Sequence, residues 1–337
     1  MKAAVLHAVG DLRYEDVPVP EAAASEVLIK IRAAGVCGSD VPRVKKKGTY
    51  SFPLIPGHEF AGEVAQIGDR VTVFPLIPCK ECAYCQIGEY AQCDNYDYLG
   101  SRRDGGFAEY VSAPAENLVP IPDNVDFNCA AMTEPASVAL HALRRAGVDA
   151  GDSVAILGAG TIGIILAQWA RICGAGKVFV TDVVDEKLDV AREYGFDHCI
   201  NAMKEDVVQK IIEETDGRGA DICVEAAGTP ITFEQSLRIA RKLGKVVLMG
   251  NVSGDVTIPE STASAILRGQ LTIYGTWNSS FTAVPKNEWI TALHFMSTGA
   301  LDLKPLITHK FRLDQANEAL DLMYNRKEFF NKVMFVF

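Results

Sequence analysis

The chain has 337 residues, of which 48% are hydrophobic and 23% are charged, and this length and composition exclude a disordered chain and indicate two packed domains. The formal net charge of −10 argues against nucleic acid and anionic membrane surfaces as partners. The chain begins with a β-type run rather than a signal peptide, and its longest apolar stretch is interrupted by glycines and polar residues. We therefore expect a cytoplasmic protein without a membrane span.

The first 120 residues contain short β-type runs, such as EVLIKIRAAG and RVTVF, that are separated by Gly, Pro and Asp. This pattern predicts an irregular, strand-rich domain with its chemically active residues in loops. In the segment GVCGSD, Cys37 lies beside two glycines that allow a tight turn, and in PGHEF, His58 and Glu59 are adjacent. A single cysteine or histidine is most often structural, so neither segment identifies a site alone.

Four cysteines lie in one short loop with the spacing C-x2-C-x2-C-x7-C. They are Cys79, Cys82, Cys85 and Cys93. Such spacing lets four thiolates converge on a structural zinc ion. One alternative is a pair of disulfides. A second is an iron–sulfur cluster, but the bacterial motif for such a cluster has a shorter last gap that is followed by proline. A third is a zinc knuckle that binds nucleic acid, which the acidic residues of this loop disfavour.

Two arginines stand next to these motifs in an otherwise acidic chain. Arg43 follows CGSDVP, and Arg102 is the first arginine of GSRRDGG. Because arginine forks match the geometry of a phosphate group, we interpret both as candidate contacts to a phosphorylated ligand. The alternative is that they are solvated, or that Arg102 or Arg103 forms an ion pair with Asp104.

The segment TEPASVALHALRRAGV has the spacing of an amphipathic helix that Thr133 can cap and that has Glu134 at its entrance. Together with Cys37 and His58, Glu134 makes a set of three ligands for a catalytic zinc, which keeps a fourth position open for water or substrate. The alternative is that Glu134 only stabilises the helix N-terminus, where carboxylates are favoured.

From Gly151 onward the pattern changes to alternating strands and helices. The segment SVAILGAGTIGIILAQWA is typical of a strand, a glycine-rich turn and a helix, and KVFVTDV is a second strand that ends at Asp182. In this arrangement a dinucleotide pyrophosphate approaches the helix N-terminus and the acid receives the ribose hydroxyls. Asp182 favours NAD because a carboxylate repels the extra phosphate of NADP. The candidate coenzyme-binding residues are Gly158, Gly160, Thr161, Ile162, Gly163, Asp182 and Lys187.

Four further β-type runs, DHCINA, ADICVEAAG, KVVLMGN and LTIYGTW, complete a six-stranded parallel sheet. The predicted fold class is therefore α/β, with a β-rich domain followed by a doubly wound parallel sheet. The last segment, residues 282–337, combines a helical stretch with a β-type end, and we expect it to return to the first domain.

Taken together, GVCGSD, GHE, the four-cysteine loop, the helix-opening Glu134 and GAGTIG resemble the zinc-dependent medium-chain dehydrogenases over essentially the whole chain. The resemblance implies a GroES-like catalytic domain at residues 1–145 and 282–337 and a Rossmann domain at residues 146–281. It also implies two zinc ions per chain and NAD as the coenzyme.

The resemblance assigns further roles at the active site. Ser39 would hydrogen-bond the substrate hydroxyl and pass on its proton, and Glu59 would be a movable or water-mediated ligand of the catalytic zinc. The segments CGSDVPR, YDYLGSRRDGGFAEY and YGTWNSSF look most like family members that oxidise a polyol phosphate, which adds Asn278 to Arg43 and Arg102 as candidate substrate contacts. The alternatives are an unphosphorylated polyol such as sorbitol or xylitol, a diol, or threonine. Exposed sheet edges in this fold favour a homodimer or homotetramer.

Two departures from the family pattern bear on function. Residues 41–44 lack the histidine that many relatives use as an outer proton relay. In VAQIGDRVTVF, Val64 is joined almost directly to Gly68, where the family has a longer connection, so either a hairpin is shortened or residues are missing. A shortened hairpin close to His58 leaves open a non-enzyme alternative, an NAD-binding protein with a disabled zinc site.

Overall fold

The computed structural model describes residues 1–284 and 286–337. These residues form two compact units, one comprising Met1–Ser137 and Ser279–Phe337 and the other comprising Val138–Asn278. No helix in the described part of the chain is long and apolar enough to cross a membrane.

The secondary structure elements are numbered in chain order. The strands are β1 (Lys2–Ala8), β2 (Asp11–Asp16), β3 (Glu26–Val36), β4 (Glu59–Val64), β5 (Arg70–Val73), β6 (Leu76–Ile77), β7 (Asp97–Tyr98), β8 (Tyr110–Pro114), β9 (Leu118–Pro120), β10 (Ser153–Leu157), β11 (Lys177–Asp182), β12 (His198–Asn201), β13 (Ala220–Glu225), β14 (Ala240–Leu248), β15 (Thr272–Gly275), β16 (Ile307–Phe311) and β17 (Lys332–Val336). The α-helices are α1 (Asp40–Pro42), α2 (Ala83–Gln86), α3 (Phe127–Ala131), α4 (Thr133–Ala146), α5 (Thr161–Ile172), α6 (Asp185–Glu193), α7 (Val207–Glu214), α8 (Pro230–Ile239), α9 (Glu260–Gly269), α10 (Glu288–Ser297) and α11 (Ala316–Asn325).

The first unit is organised around the long strand β3. Its main sheet has the order β16-β17-β3-β4-β5-β9, and β8 also pairs with β3. At the end of β3, Gly35 lies between Glu59 of β4 and Met334 of β17, and both neighbouring strands are antiparallel to it. This register brings Cys37, which follows β3, close to Glu59 at the start of β4 and to Lys332 at the start of β17.

The short connection that follows Val64 is an ordinary tight turn. The Val64 amide donates to the Asp69 carbonyl at 2.9 Å, and the Gly68 amide donates to the Val64 carbonyl at 2.8 Å. Gly68 has a φ of +79°, a conformation that glycine adopts without strain. Beyond the turn, β4 and β5 pair regularly from Glu63 and Arg70 onward, so the hairpin is closed despite its length.

The second unit is a doubly wound parallel sheet with the order β12-β11-β10-β13-β14-β15. Every neighbouring pair is parallel. The order reverses between β10 and β13, which is where such sheets bind a dinucleotide. Residues 154–157 of β10 are fully buried, as expected for a strand covered by helices on both faces. The fold class predicted from the sequence, including the six-stranded sheet, is confirmed.

Candidate active site

Three of the predicted zinc ligands meet at the end of β3. Cys37 follows β3 directly, His58 precedes β4, and Glu59 is the first residue of β4, opposite Gly35. One ligand atom of each of the three residues lies within 4.8 Å of the other two. His58 and Glu59 are buried, and Cys37 is half-buried. The strand register thus assembles a compact group of sulfur, nitrogen and oxygen ligands.

Glu134 lies beside this group but is not one of the three closest residues. It is in the first turn of α4 and is buried, and the Tyr98 hydroxyl donates to Glu134 Oε1 at 3.4 Å. Burial is the main reason that the pKa of Glu134 is raised to about 7. The nearby His58 lowers this pKa, and the nearby Glu59 raises it. The ring of Tyr98 is also 5.8 Å from that of His58, so Tyr98 touches two candidate ligands and is a site residue that the sequence did not indicate.

Asp40 is a second residue that sequence reasoning missed. Its carboxylate is fully buried, accepts a hydrogen bond from the Cys37 amide at 3.0 Å, and has one oxygen 3.4 Å from His58 Nδ1. The guanidinium of Arg43 donates to the same carboxylate. Burial alone would raise the pKa of Asp40, but His58 and Arg43 hold it below its ordinary value. Asp40 therefore supports two candidate ligands, and Arg43 is already bound to a buried acid.

Lys332, at the start of β17, forms a buried ion pair with Glu59. The ammonium group also donates to the Val36 carbonyl at 3.2 Å. Burial lowers the pKa of Lys332, but Glu59 and other nearby acids more than offset this and raise the pKa above its ordinary value. A Cβ atom on Gly35 would lie 2.3 Å from Glu59 Oε2, so only glycine leaves room for the pair. No motif in the sequence pointed to Lys332.

Ser39 is exposed, two residues after Cys37, at the N-terminus of α1. Its side chain makes no capping hydrogen bond to that helix. The hydroxyl has no hydrogen-bond partner among the residues that the structure describes, so it is available to a ligand.

The four cysteines of the loop also converge. Their sulfur atoms all lie within 4.8 Å of one another, and Cys79 Sγ and Cys85 Sγ are 4.0 Å apart. A tetrahedral zinc with Zn–S bonds of about 2.3 Å requires sulfurs about 3.8 Å apart. The Cys79 amide donates to Cys93 Sγ at 3.2 Å, and hydrogen bonds from the Asp94 and Cys85 amides lower the pKa of Cys82 to about 6. All four are free thiols, as a metal site requires and a disulfide pair does not.

The glycine fingerprint has the predicted position at the end of β10. Gly158 has a φ of +114°, and a Cβ atom on Gly163 would lie 1.8 Å from the Gly158 carbonyl oxygen, so the turn requires glycine at both positions. Asp182 ends β11, and its carboxylate accepts a hydrogen bond from the Ala159 amide at 2.9 Å. The Lys187 ammonium lies 3.7 Å from the same carboxylate. The acid is thus held next to the turn.

The remaining candidate coenzyme residues belong to the same turn. Gly160 is the N-cap of α5, and Thr161 and Ile162 are the first two residues of that helix. Their backbone amide groups belong to the first turn of a helix, where N–H groups lack intrahelical partners and can receive a phosphate.

The predicted substrate contacts have different surroundings. The guanidinium of Arg102 lies 4.4 Å from the ring centroids of both Tyr50 and Tyr96. The suggested ion pair with Asp104 is not found among the described residues. Asp104 instead accepts a hydrogen bond from the Ile55 amide, and Arg103 pairs with Glu26.

Asn278 is the last residue of the second unit and has a φ of +59°. Asparagine tolerates this left-handed conformation better than most residues. The candidate zinc ligands belong to the first unit.

Two family models match the chain. The alcohol dehydrogenase GroES-like domain matches residues 23–123, and the zinc-binding dehydrogenase domain matches residues 161–298. Galactitol 1-phosphate 5-dehydrogenase of Escherichia coli (strain K12) is 35% identical over 332 residues, which cover 95% of both chains. Sorbitol dehydrogenase of Bacillus subtilis (strain 168) is 33% identical, with 99% of this chain and 96% of that protein covered.

Solved structures agree with these matches. The crystal structure of galactitol-1-phosphate dehydrogenase from Escherichia coli has a TM-score of 0.93 at 35% identity and covers 100% of both chains. A structure described as a short chain alcohol dehydrogenase from Escherichia coli CFT073, complexed with NADH, has a TM-score of 0.91 at 28% identity, covering 100% of this chain and 99% of that chain. The chain therefore belongs to the zinc-dependent alcohol dehydrogenase family and is an oxidoreductase.

Proposed function

We propose that this chain is an NAD-dependent dehydrogenase of polyol phosphates that oxidises galactitol 1-phosphate to tagatose 6-phosphate. The observation that carries the proposal is the buried group of Cys37, His58 and Glu59, with Glu134 beside it, on a chain that also has a complete dinucleotide fingerprint. The similarity to galactitol 1-phosphate 5-dehydrogenase over nearly the whole chain supports this substrate.

The residues present fit a zinc ion at both proposed centres. Cys37, His58 and a carboxylate of Glu59 or Glu134 offer the sulfur, nitrogen and oxygen ligands of a catalytic site with an open position. The four-cysteine loop offers the closed set of a structural site. When bound, the catalytic zinc supplies a Lewis acid that lowers the pKa of an alcohol.

The chain's own residues position the alcohol and take up its proton. Ser39, which is exposed beside Cys37, is the proposed acceptor of the hydroxyl proton. Bound NAD would supply the acceptor for the hydrogen of the carbon atom and its two electrons, so that the alcohol would become a ketone and NAD would become NADH. Because residues 41–44 contain no histidine, we propose that the proton passes from Ser39 directly to water.

Arg102 is the candidate phosphate contact that forms no ion pair among the described residues. The exposed guanidinium of Arg102 contacts the rings of both Tyr50 and Tyr96, and a guanidinium can donate two parallel hydrogen bonds to a dianion. Arg43 is bound to the buried Asp40, so we expect a smaller contribution from it. Asn278 is retained as a substrate contact on the family resemblance alone.

The second candidate substrate is an unphosphorylated polyol, which the similarity to sorbitol dehydrogenase favours. The stack of Tyr50, Arg102 and Tyr96 is complete without a phosphate and is therefore compatible with a neutral substrate. The two candidates differ in one measurable quantity, which is the dependence of kcat/KM on Arg102.

The test measures NADH formation with galactitol 1-phosphate, galactitol, sorbitol, xylitol, a diol and threonine. We expect the phosphate ester to have the highest kcat/KM. Arg102→Ala should lower that value by roughly 10- to 100-fold, because a charge-assisted hydrogen bond contributes about 1.5–3 kcal/mol. It should change the value for galactitol little. Arg103→Ala is the matched control, since Arg103 already pairs with Glu26. Oxidation of galactitol or sorbitol as efficiently as the phosphate ester would contradict the proposal.

We further propose that the chain is a homodimer or homotetramer in the reducing cytoplasm. Strand β15 is at the end of the six-stranded sheet and its residues are largely exposed, including Ile273 at 41%. Pairing with β15 of a second copy would satisfy the unpaired backbone groups of this edge. Light scattering should give the mass of a dimer or tetramer for the wild type. Ile273→Lys places a charge on the edge and should give the mass of a monomer. A monomeric wild type would contradict the proposal.

A further inference from the structure

The reaction described above does not use a buried acid of the second unit. Glu225 is the last residue of β13 and has a relative exposure of 0%. Its neighbour in the sheet is Leu157, the last residue of β10. Because the strand order reverses between β10 and β13, the carboxyl group lies where a dinucleotide crosses a doubly wound sheet.

One oxygen of this carboxylate carries three hydrogen bonds. Glu225 Oε1 accepts from the Ala227 amide at 2.9 Å, the Gly228 amide at 2.8 Å and the Thr232 hydroxyl at 2.7 Å. Glu225 Oε2 is buried and has no hydrogen-bond partner among the described residues. Burying a carboxylate is costly unless hydrogen bonds compensate, so the acid and its three donors fix one another in a single arrangement.

This arrangement extends to the coenzyme fingerprint. A Cβ atom on Gly158 would lie 3.0 Å from the Ala227 nitrogen, so the loop that the carboxylate holds packs against the first fingerprint glycine. On the other side, a Cβ atom on Gly250 would lie 2.4 Å from Glu225 Oε2. The amides of Met249 and Gly250 donate to the Glu225 carbonyl at 3.0 and 2.8 Å. Glu225 therefore connects the loops after β13 and β14 to the turn after β10.

We propose that Glu225 is a positioning residue for the nicotinamide coenzyme, which holds the loops after β13 and β14 in the conformation that binds NAD. The inference rests on the proposed use of NAD by this chain. A carboxylate accepts hydrogen bonds at both oxygens, whereas the amide of Gln keeps one oxygen and adds a donor in place of the other. Glu225→Gln therefore either removes the acceptor of three donors or buries an NH2 group next to Gly250.

The test is a direct titration with NADH, followed by fluorescence, of folded wild type and Glu225→Gln. We expect the Kd for NADH to rise by roughly 10- to 100-fold, and kcat at saturating coenzyme to change less. The matched control is Asp221→Asn, on the same strand but at its other end. Asp221 accepts hydrogen bonds from Ser153 and Arg241, so its loss should lower Tm without changing the Kd.

Thr232→Val removes one donor without altering the acid, and it decides the question if Glu225→Gln does not fold. It should raise the Kd for NADH in the same direction by a smaller factor. The proposal is overturned if folded Glu225→Gln binds NADH with a Kd within about twofold of the wild-type value. If Glu225→Gln does not fold, the same result for Thr232→Val overturns it. Equal weakening in Asp221→Asn would also overturn it, because it would show an effect of lost stability. Binding is measured without substrate, so a wild type that binds NADH but oxidises no polyol contradicts only the proposed function.

Discussion

The buried ion pair beside the zinc ligands gives the sharpest test of the site. The side chains of Lys332 and Glu59 are 4% and 2% exposed. Lys332→Met removes the cation but keeps most of the side-chain volume. Glu59 is then a buried carboxylate without its cation, and breaking a buried pair in this way costs about 3–5 kcal/mol. The Val36 carbonyl also loses the hydrogen bond that it accepts at 3.2 Å.

The expected loss of stability is large enough to measure by thermal unfolding. In domains of 150–250 residues, each kcal/mol shifts Tm by about 2–4 °C, so Lys332→Met should lower Tm by roughly 6–20 °C. The measurement uses metal-free protein, so that no added cation replaces the lysine. Lys2→Met is the surface control, because Lys2 pairs with Asp16 at 2.6 Å while both side chains are exposed, and its Tm should not change.

A double-mutant cycle separates the charge from the packing. Glu59→Gln combined with Lys332→Met removes both charges, so the double variant should be more stable than the sum of the single losses by about 1.5–3 kcal/mol. If Lys332→Met unfolds within about 2 °C of wild type, or if the two losses simply add, the pair is not coupled and the reasoning is refuted.

Three further predictions concern the metals and the coenzyme. Cys85→Ser should lose one of the two zinc ions per chain, as measured by metal analysis, and should have a lower Tm, while the molecules that remain folded keep their turnover. Loss of one zinc ion and of all turnover at a normal Tm would instead show that this loop is catalytic. Asp182→Asn should raise KM for NAD and relax discrimination against NADP, and an unchanged ratio of kcat/KM values would contradict its role. Burial raises the pKa of Glu134 from 4.5 to about 7, so the free energy of unfolding of metal-free protein should fall as pH rises through that range. Glu134→Gln should reduce this slope in denaturant titrations without abolishing it, because the raised pKa of His58 gives a slope of the same sign, and an unaltered slope would exclude Glu134 as a source.

The features that the sequence predicts well are those that neighbouring residues determine. Strand β10 is a buried apolar run, and helix α5 begins just after the glycine-rich turn that follows it. Both could be predicted because each depends on the hydrophobic periodicity and the end signals of its own segment. The four-cysteine loop is equally local. Its ligands are close in sequence, so the spacing alone indicates that their sulfurs can meet.

The surroundings of the catalytic ligands depend instead on strand register. Glu59 and Lys332 are 273 positions apart, and they meet because Gly35 of β3 is opposite Glu59 on one side and Met334 of β17 on the other. A lysine near the end of the chain, outside any motif, carries no signal of this in a single sequence. Tyr98 is similar, since its contact with a zinc ligand depends on where α4 begins.

The protons held by the residues of this site predict how its affinity for a divalent cation depends on pH. The acidic groups of the site are the buried carboxyl groups of Asp40, Glu59 and Glu134, and the half-buried Cys37 lies beside them. Arg43 is paired with Asp40, and Lys332 is paired with Glu59. Asp40 and Cys37 hold the pKa of His58 well above its ordinary value, and burial raises the pKa of Glu134 to about 7, so both groups hold protons in metal-free protein near neutral pH. A divalent ion binds the neutral imidazole, the thiolate and an ionised carboxylate, so it must displace protons from His58, Cys37 and any carboxyl ligand, and its affinity for this site should keep rising as pH increases through and above 7.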